Sequence, residues 1–292
     1  MKQERTRFLV ETSWLADHLH DPHLRIVDMR GYVRTVEHDG RQEAHYVGAR
    51  EEYEEEHIPG ALYINWTSDI VDLDSAVEAQ VAPAERFAAL MGQLGIGDQH
   101  LVVAYDSHPA SQFATRLWWA LKYYGHNEVV VLNGGLNKWE RENLPLTNEV
   151  SSYPAAIFTP VVQPQLRATA ADVLANLNRK GVTLVDARDR GQYTGAIVRG
   201  RGRRGHIPGA ISLPREELID SATGTFRSNE NLTQIFDHNG VKPDQEIVAY
   251  CNGGVAATTV LFSLAMLEYP NITNYDGSWN EWGERQDLPT EV

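Results

Sequence analysis

The sequence predicts an α/β protein of two tandem domains, each a parallel sheet flanked by helices on both faces. Three observations carry this. The chain has 292 residues, enough for about two ordinary domains. Its apolar runs alternate between short strand-length and longer helix-length segments, the pattern of parallel sheets covered by helices. And it says the same thing twice. Residues 24–30 read LRIVDMR and 182–188 read VTLVDAR; 56–61 read EHIPGA and 205–210 read GHIPGA. Residues 101–106 read LVVAYD and 246–251 read EIVAYC; 133–139 read NGGLNKW and 276–282 read DGSWNEW. Four collinear matches mean a duplicated domain. The expected division is residues 1–144, a linker over 145–167, and residues 168–292.

In the first copy, Thr12 or Ser13 is expected to cap a helix running to Leu19. Strands follow at Arg25–Asp28 and at Ala61–Ile64, the second after the turn His57-Ile58-Pro59-Gly60. Ala84–Leu94 reads as a helix closed by Gly95. Then come a strand at Leu101–Tyr105, a helix at Ala110–Tyr124, a strand at Glu128–Leu132 and a helix through Trp139. No element is assigned to residues 31–55. The stretch from Pro145 to Arg167 holds four prolines and little periodicity, so it reads as a linker.

In the second copy, Thr169 and Asp172 form a capping-box pattern that opens a helix to Arg179. Strands are expected at Thr183–Asp186, Ile211–Leu213 and Ile247–Tyr250, and near Thr273–Tyr275. Helices are expected at Asn229–His238, at Val255–Leu267 and near Trp279–Glu284.

Cys251, the only cysteine, falls at the carboxyl end of the Ile247–Tyr250 strand, where ligands of such sheets bind. Asn252, Gly253 and Gly254 make a breaker-rich turn into a helix. Glycines let backbone N–H groups converge on an anion. The helix N-terminus favours thiolate over thiol. Cys251 therefore reads as a nucleophile in an amide cradle, or as a small buried core residue. The first copy carries Asp106 instead, followed by Ser107-His108-Pro109 and no glycine pair. That loop is not expected to be an anion cradle, so one copy is active and the other forms a wall of the cleft.

The segment Arg188–Arg204 holds six arginines and one aspartate in a chain of net charge −14. It follows the Thr183–Asp186 strand onto the rim of Cys251. It reads as an anion-binding wall or as a solvated basic loop. His57 and His206 precede equivalent turns and are expected to be structural, as are Trp118, Trp119, Trp139 and Trp282. Asp28 and Asp186 are expected to cap loops or to pair with Arg30 and Arg188.

The acidic balance argues against nucleic acid or an anionic membrane surface as partner. A lone cysteine excludes an internal disulfide, and no metal-ligand spacing appears. The start, MKQERTRFLVETSWL, lacks a signal-like apolar run, and a cytoplasmic protein is expected.

These motifs together resemble the two-domain rhodanese family, which includes thiosulfate and 3-mercaptopyruvate sulfurtransferases. The similarity covers nearly the whole chain. It implies that Cys251 becomes a persulfide, that Asn252, Gly253, Gly254, Val255 and Ala256 donate the amide cradle, and that no cofactor is needed. It also implies a small anionic sulfur donor, with cyanide, a thiol or a protein as acceptor. The family's donor-binding arginine falls on Gln192, with Arg190 as a substitute; a second falls on Arg199 or Arg201. Thiosulfate enzymes usually resemble C-R-K-G-V-T at the loop and mercaptopyruvate enzymes C-G-S-G-V-T. Here the loop is Cys251-Asn252-Gly253-Gly254-Val255-Ala256, with neither the lysine nor the serine. Two other readings stand beside a sulfurtransferase. One is a persulfide carrier or redox sensor. The other is a phosphatase or arsenate reductase on the same scaffold; its required arginine six residues after the cysteine is Ala257 here.

Overall fold

The computed structural model describes residues 7–292; the first six residues of the charged start lie outside them. Two five-stranded parallel sheets repeat one topology. The first runs β1 (Leu9–Val10), β7 (Val129–Leu132), β6 (Leu101–Tyr105), β2 (Leu24–Asp28), β5 (Ala61–Tyr63). The second runs β8 (Arg167–Ala168), β12 (Ile272–Tyr275), β11 (Glu246–Tyr250), β9 (Val182–Asp186), β10 (Ile211–Ser212). Register repeats as well: Asp28 lies opposite Tyr105, and Asp186 opposite Tyr250. The central strands are almost wholly buried because helices cover both faces, which is why they read as unbroken apolar runs.

In the first copy the helices are α1 (Thr12–Asp17), α2 (Arg50–Glu55), α3 (Ala84–Gln93), α4 (Gln112–Tyr123) and α5 (Gly135–Arg141). In the second they are α6 (Ala170–Asn176), α7 (Arg190–Tyr193), α8 (Asn229–His238), α9 (Ala257–Met266) and α10 (Ser278–Trp282). The Thr169–Asp172 capping box is present in full. Other boundaries depart from expectation for local reasons. Thr12 does not cap α1 but opens it, and its hydroxyl donates to Glu142. Ser111 takes a left-handed conformation (φ 47°), which delays α4 to Gln112. Val255 and Ala256 stay in the cysteine loop, so α9 begins at Ala257. Asn178, left-handed at φ 61°, lies beyond the shortened end of α6.

A hairpin that the sequence reading left unassigned, β3 (Gly31–His38) and β4 (Arg41–Gly48), turns at Asp39-Gly40, both at positive φ. It leaves the first copy and docks on the second. Gln42 N–H donates to Val198 C=O and Gly200 N–H to Gln42 C=O, both at 2.8 Å. The copies also meet through α4 and α9, where the Thr115 and Thr258 hydroxyls lie 2.9 Å apart and Trp118 meets Phe262 edge-on. The proline-rich segment runs back over the first copy, with Tyr153 Oη donating to Gly60 C=O. Among the described residues no helix is long and apolar enough to cross a membrane.

Candidate active site

The site begins where β11 ends. Cys251 is 3% exposed. Its N–H donates to Ser278 Oγ at 3.1 Å, and that hydroxyl donates to Tyr275 C=O. The loop's carbonyls are tied down in turn. Cys251 C=O accepts from Trp279 N–H at 3.0 Å and Asn252 C=O from Asn280 N–H at 2.8 Å. Gly254 C=O accepts from Asn274 Nδ2 at 3.0 Å and from Arg116 Nη1 at 3.2 Å. Val255 C=O accepts from Thr258, through N–H at 3.1 Å and Oγ1 at 2.6 Å.

In a trans peptide the N–H points away from the C=O of the same unit. Holding these four carbonyls on the outside turns the N–H groups of Asn252, Gly253, Val255 and Ala256 the other way. Among the described residues none of the N–H groups from Asn252 to Ala256 has a protein acceptor. Orphaned donors on a tight loop form a concavity for an anion. Gly254 is required by geometry: φ is +70°, and a Cβ there would stand 2.7 Å from Asp276 C=O.

In the first copy the corresponding loop is closed by its own side chain, which bonds one N–H of the loop and two of the first turn of α4. Asp106 Oδ1 accepts from His108 N–H at 2.9 Å, and Oδ2 from Phe113 and Ala114 N–H at 2.8 and 2.9 Å. Burial pushes this carboxyl up to about 7, while the three N–H bonds pull against it. Each loop reaches its helix six residues on, at Gln112 and Ala257, so Asp106 and Cys251 are structural counterparts.

The arginine run divides by task. Arg188 is buried against Asp186 at 2.6 Å. Arg203 donates to the carbonyls of Trp282, Gly283, Arg285 and Leu288, and Arg204 to Gly195 C=O. Arg190 is exposed and paired with Glu217 at 2.7 Å, and it is not among the residues lining the cavity that Asn280 joins to the loop. Arg199 and Arg201 do line that cavity, a space of about 600 Å³ between the hairpin and the second copy. Arg199 Nη2 is buried without a hydrogen-bond partner, and its guanidinium lies 5.8 Å from the Tyr46 ring centroid.

Cys251 is not part of the cavity wall; Asn280 joins the two. Its N–H holds the Asn252 carbonyl, and its Nδ2 donates to Tyr46 Oη at 3.2 Å. Tyr46 comes from the unassigned hairpin, so composition of the second copy alone could not point to it. The Asp39-Gly40 turn between alternating segments was the available signal. No local pattern points to Arg116, because its contact with the loop depends on how the copies pack.

The paired framework residues sit as expected. Arg30 bonds Asp28, and Tyr105 Oη donates to the same carboxylate at 2.6 Å. His57 stacks on Tyr53 and His206 on Tyr193, each with Nδ1 against that tyrosine's carbonyl. Each histidine thereby fixes its turn. Among the described residues no cluster of three or more His, Cys, Asp or Glu could hold a metal ion.

Comparison with known proteins matches this architecture. The rhodanese-like domain model matches residues 11–142 and again residues 169–285. The chain is 34% identical to the 3-mercaptopyruvate sulfurtransferase of Escherichia coli K12, over 98% of each chain. It is also 34% identical to the thiosulfate sulfurtransferase of Mus musculus, over 98% of this chain and 95% of the mouse protein. The crystal structure of SseA from Escherichia coli, a protein described as having the rhodanese fold, superposes with a TM-score of 0.81 at 32% identity, covering 93% of this chain and 98% of that one. The chain belongs to the rhodanese family and carries its domain twice.

Proposed function

We propose that this protein, a sulfurtransferase of the two-domain rhodanese type, carries sulfur on Cys251 between a small anionic donor and a nucleophilic acceptor. The observation that supports this most directly is the contrast between the two loops. In the first copy the Asp106 carboxylate takes one N–H of its loop and two of the first turn of α4, whereas among the described residues the loop N–H groups after Cys251 have no protein acceptor.

The Cys251 thiolate attacks the outer sulfur of the donor. With thiosulfate the S–S bond breaks, its electron pair leaves on sulfite, and the transferred sulfur stays as a Cys251 persulfide. With 3-mercaptopyruvate the C–S bond breaks, and the departing carbon takes a proton to give pyruvate. The N–H groups of Asn252 to Ala256 hold the charge of the outer sulfur. Cyanide or a thiolate then attacks that sulfur and Cys251 leaves as thiolate, so the cycle is a double displacement without net redox change. Arg199 and Arg201 hold the anionic end of the donor. A reducing compartment such as the cytoplasm suits a lone cysteine that must return to the thiolate.

The test is cyanide-dependent thiocyanate formation with thiosulfate and with 3-mercaptopyruvate, on wild type and Cys251→Ser. Turnover with at least one donor, lost in the variant, is expected. Turnover with neither donor would overturn the reading.

A further inference from the structure

We propose that Arg116, contributed by the copy without the nucleophile, is a positioning residue for the Cys251 loop. It holds the Gly254 carbonyl outward and so turns the Val255 N–H into the cradle. The proposal rests on the sulfurtransferase reading above for its catalytic readout, but its geometry is independent of it.

One guanidinium makes three buried contacts. Nη1 lies 2.6 Å from Asp276 Oδ1 and 3.2 Å from Gly254 C=O. Nη2 donates to Ala79 C=O at 2.8 Å. Trp119 covers the guanidinium with its ring centroid 4.5 Å away. Arg116 is 2% exposed, so these are desolvated contacts. A planar fork reaches all three acceptors at once, whereas a lysine ammonium on its flexible stem would not reproduce that geometry.

The Gly254–Val255 peptide has two orientations open to it, since Gly254 sits at φ +70° where glycine is unrestrained. Flipping it would point the carbonyl oxygen into the cradle, where it would repel an anionic sulfur. Arg116 and Asn274 are the two donors on that carbonyl. Arg116 comes from the other copy, so the active loop is shaped correctly only when the two copies are docked. This gives the silent domain a task beyond forming a wall.

Removing Arg116 takes a donor from Ala79 C=O and from Asp276 Oδ1 but does not leave the Asp276 charge unpaired. Asp276 Oδ2 keeps Arg167 Nε at 3.2 Å and Val81 N–H at 3.0 Å. Arg116→Met is therefore expected to fold with a lowered Tm. Per folded molecule, kcat is expected to fall by about tenfold or more with donor KM changed less than about twofold, because a cradle donor acts on charge that develops at the sulfur. The lifetime of the sulfur on Cys251, followed by intact mass after donor removal, should shorten in step. Arg116→Lys should recover only part of kcat. Asn274→Ala removes the other donor and leaves every charge in place; a smaller fall in kcat is expected. A lowered Tm with unchanged kcat and unchanged persulfide lifetime in Arg116→Met would overturn the proposal. If neither Arg116 variant folds, unchanged kcat in Asn274→Ala would overturn it.

A failure of the sulfurtransferase reading is distinguishable, because wild type would then take sulfur from neither donor. The loop is still readable by alkylation: the rate of Cys251 with anionic iodoacetate relative to neutral iodoacetamide is expected to drop in Arg116→Met. An unchanged ratio would contradict the positioning role.

Discussion

Asn252 Nδ2 donates to Gln192 Oε1 at 2.9 Å, joining the residue after Cys251 to the position on which the resemblance places a donor-binding arginine. Gln192 is buried on α7, while its neighbour Arg190 points its charge at Glu217 on the exterior. Gln192 is thus a neutral side chain that braces the loop. Gln192→Arg is expected to lower the donor KM by about tenfold, since a hydrogen bond to a charged group contributes roughly 1.5–3 kcal/mol. Steady-state kinetics with both donors checks it. Unchanged KM for both would show that the position does not face the donor.

Arg199 and Arg190 should separate cleanly. Arg199 Nη2 is buried and unpartnered beside the cavity, so Arg199→Ala is expected to raise donor KM by about tenfold or more. Arg190 takes part in an exposed ion pair, and such pairs contribute about 0–1 kcal/mol. Arg190→Ala should leave both KM and Tm close to wild type. A larger KM effect at Arg190 than at Arg199 would reverse the assignment of the arginine wall.

Gly254→Ala tests the loop's shape. A methyl group would enter at 2.7 Å from Asp276 C=O and at a positive φ. The cost of such backbone strain is about 1–3 kcal/mol. The expected result is a clear fall in Tm together with loss of sulfur transfer. A variant of wild-type stability and activity would mean that the loop adopts another conformation.

His108, in the loop after Asp106, gives a pH prediction. Burial holds its imidazole down at about 3, and its Nδ1 accepts from Ala110 N–H at 3.0 Å. A folded-state pKa below the ordinary value means stability present above about pH 6.5 and lost as pH falls toward the folded value. Asp106, pushed up to about 7 by burial, pulls the opposite way but is common to wild type and variant. His108→Asn keeps an acceptor for Ala110 without a titrating ring. Between about pH 7.5 and about pH 5, wild type should lose more Tm than His108→Asn, by a few degrees. Parallel Tm curves would show that the ring does not titrate there.

Much of this was legible in the residues themselves. The VD-x-R, HIPGA and strand–loop–helix repeats are local signals, and they carry the sheet, the twin Asp–Arg pairs and the place of Cys251. The bonds of the Asp106 carboxylate were not legible, because nothing about a lone aspartate says whether it will fold back onto its own loop and helix. The hairpin was passed over because the second copy has no counterpart to align with it, although Asp39-Gly40 marks its turn. Arg116 and Tyr46 act across the domain boundary, where sequence separation exceeds one hundred residues. Burial of the two copies against each other brings them to the loop, and no local pattern encodes that.

The most direct single measurement is intact-mass spectrometry of the protein after exposure to thiosulfate and, separately, to 3-mercaptopyruvate. Wild type is expected to gain one sulfur atom, mapped to Cys251 by peptide analysis and removed by cyanide, with no gain in Cys251→Ser. Sulfur taken up equally by Cys251→Ser, or by wild type from neither donor, would contradict a Cys251 persulfide as the working intermediate.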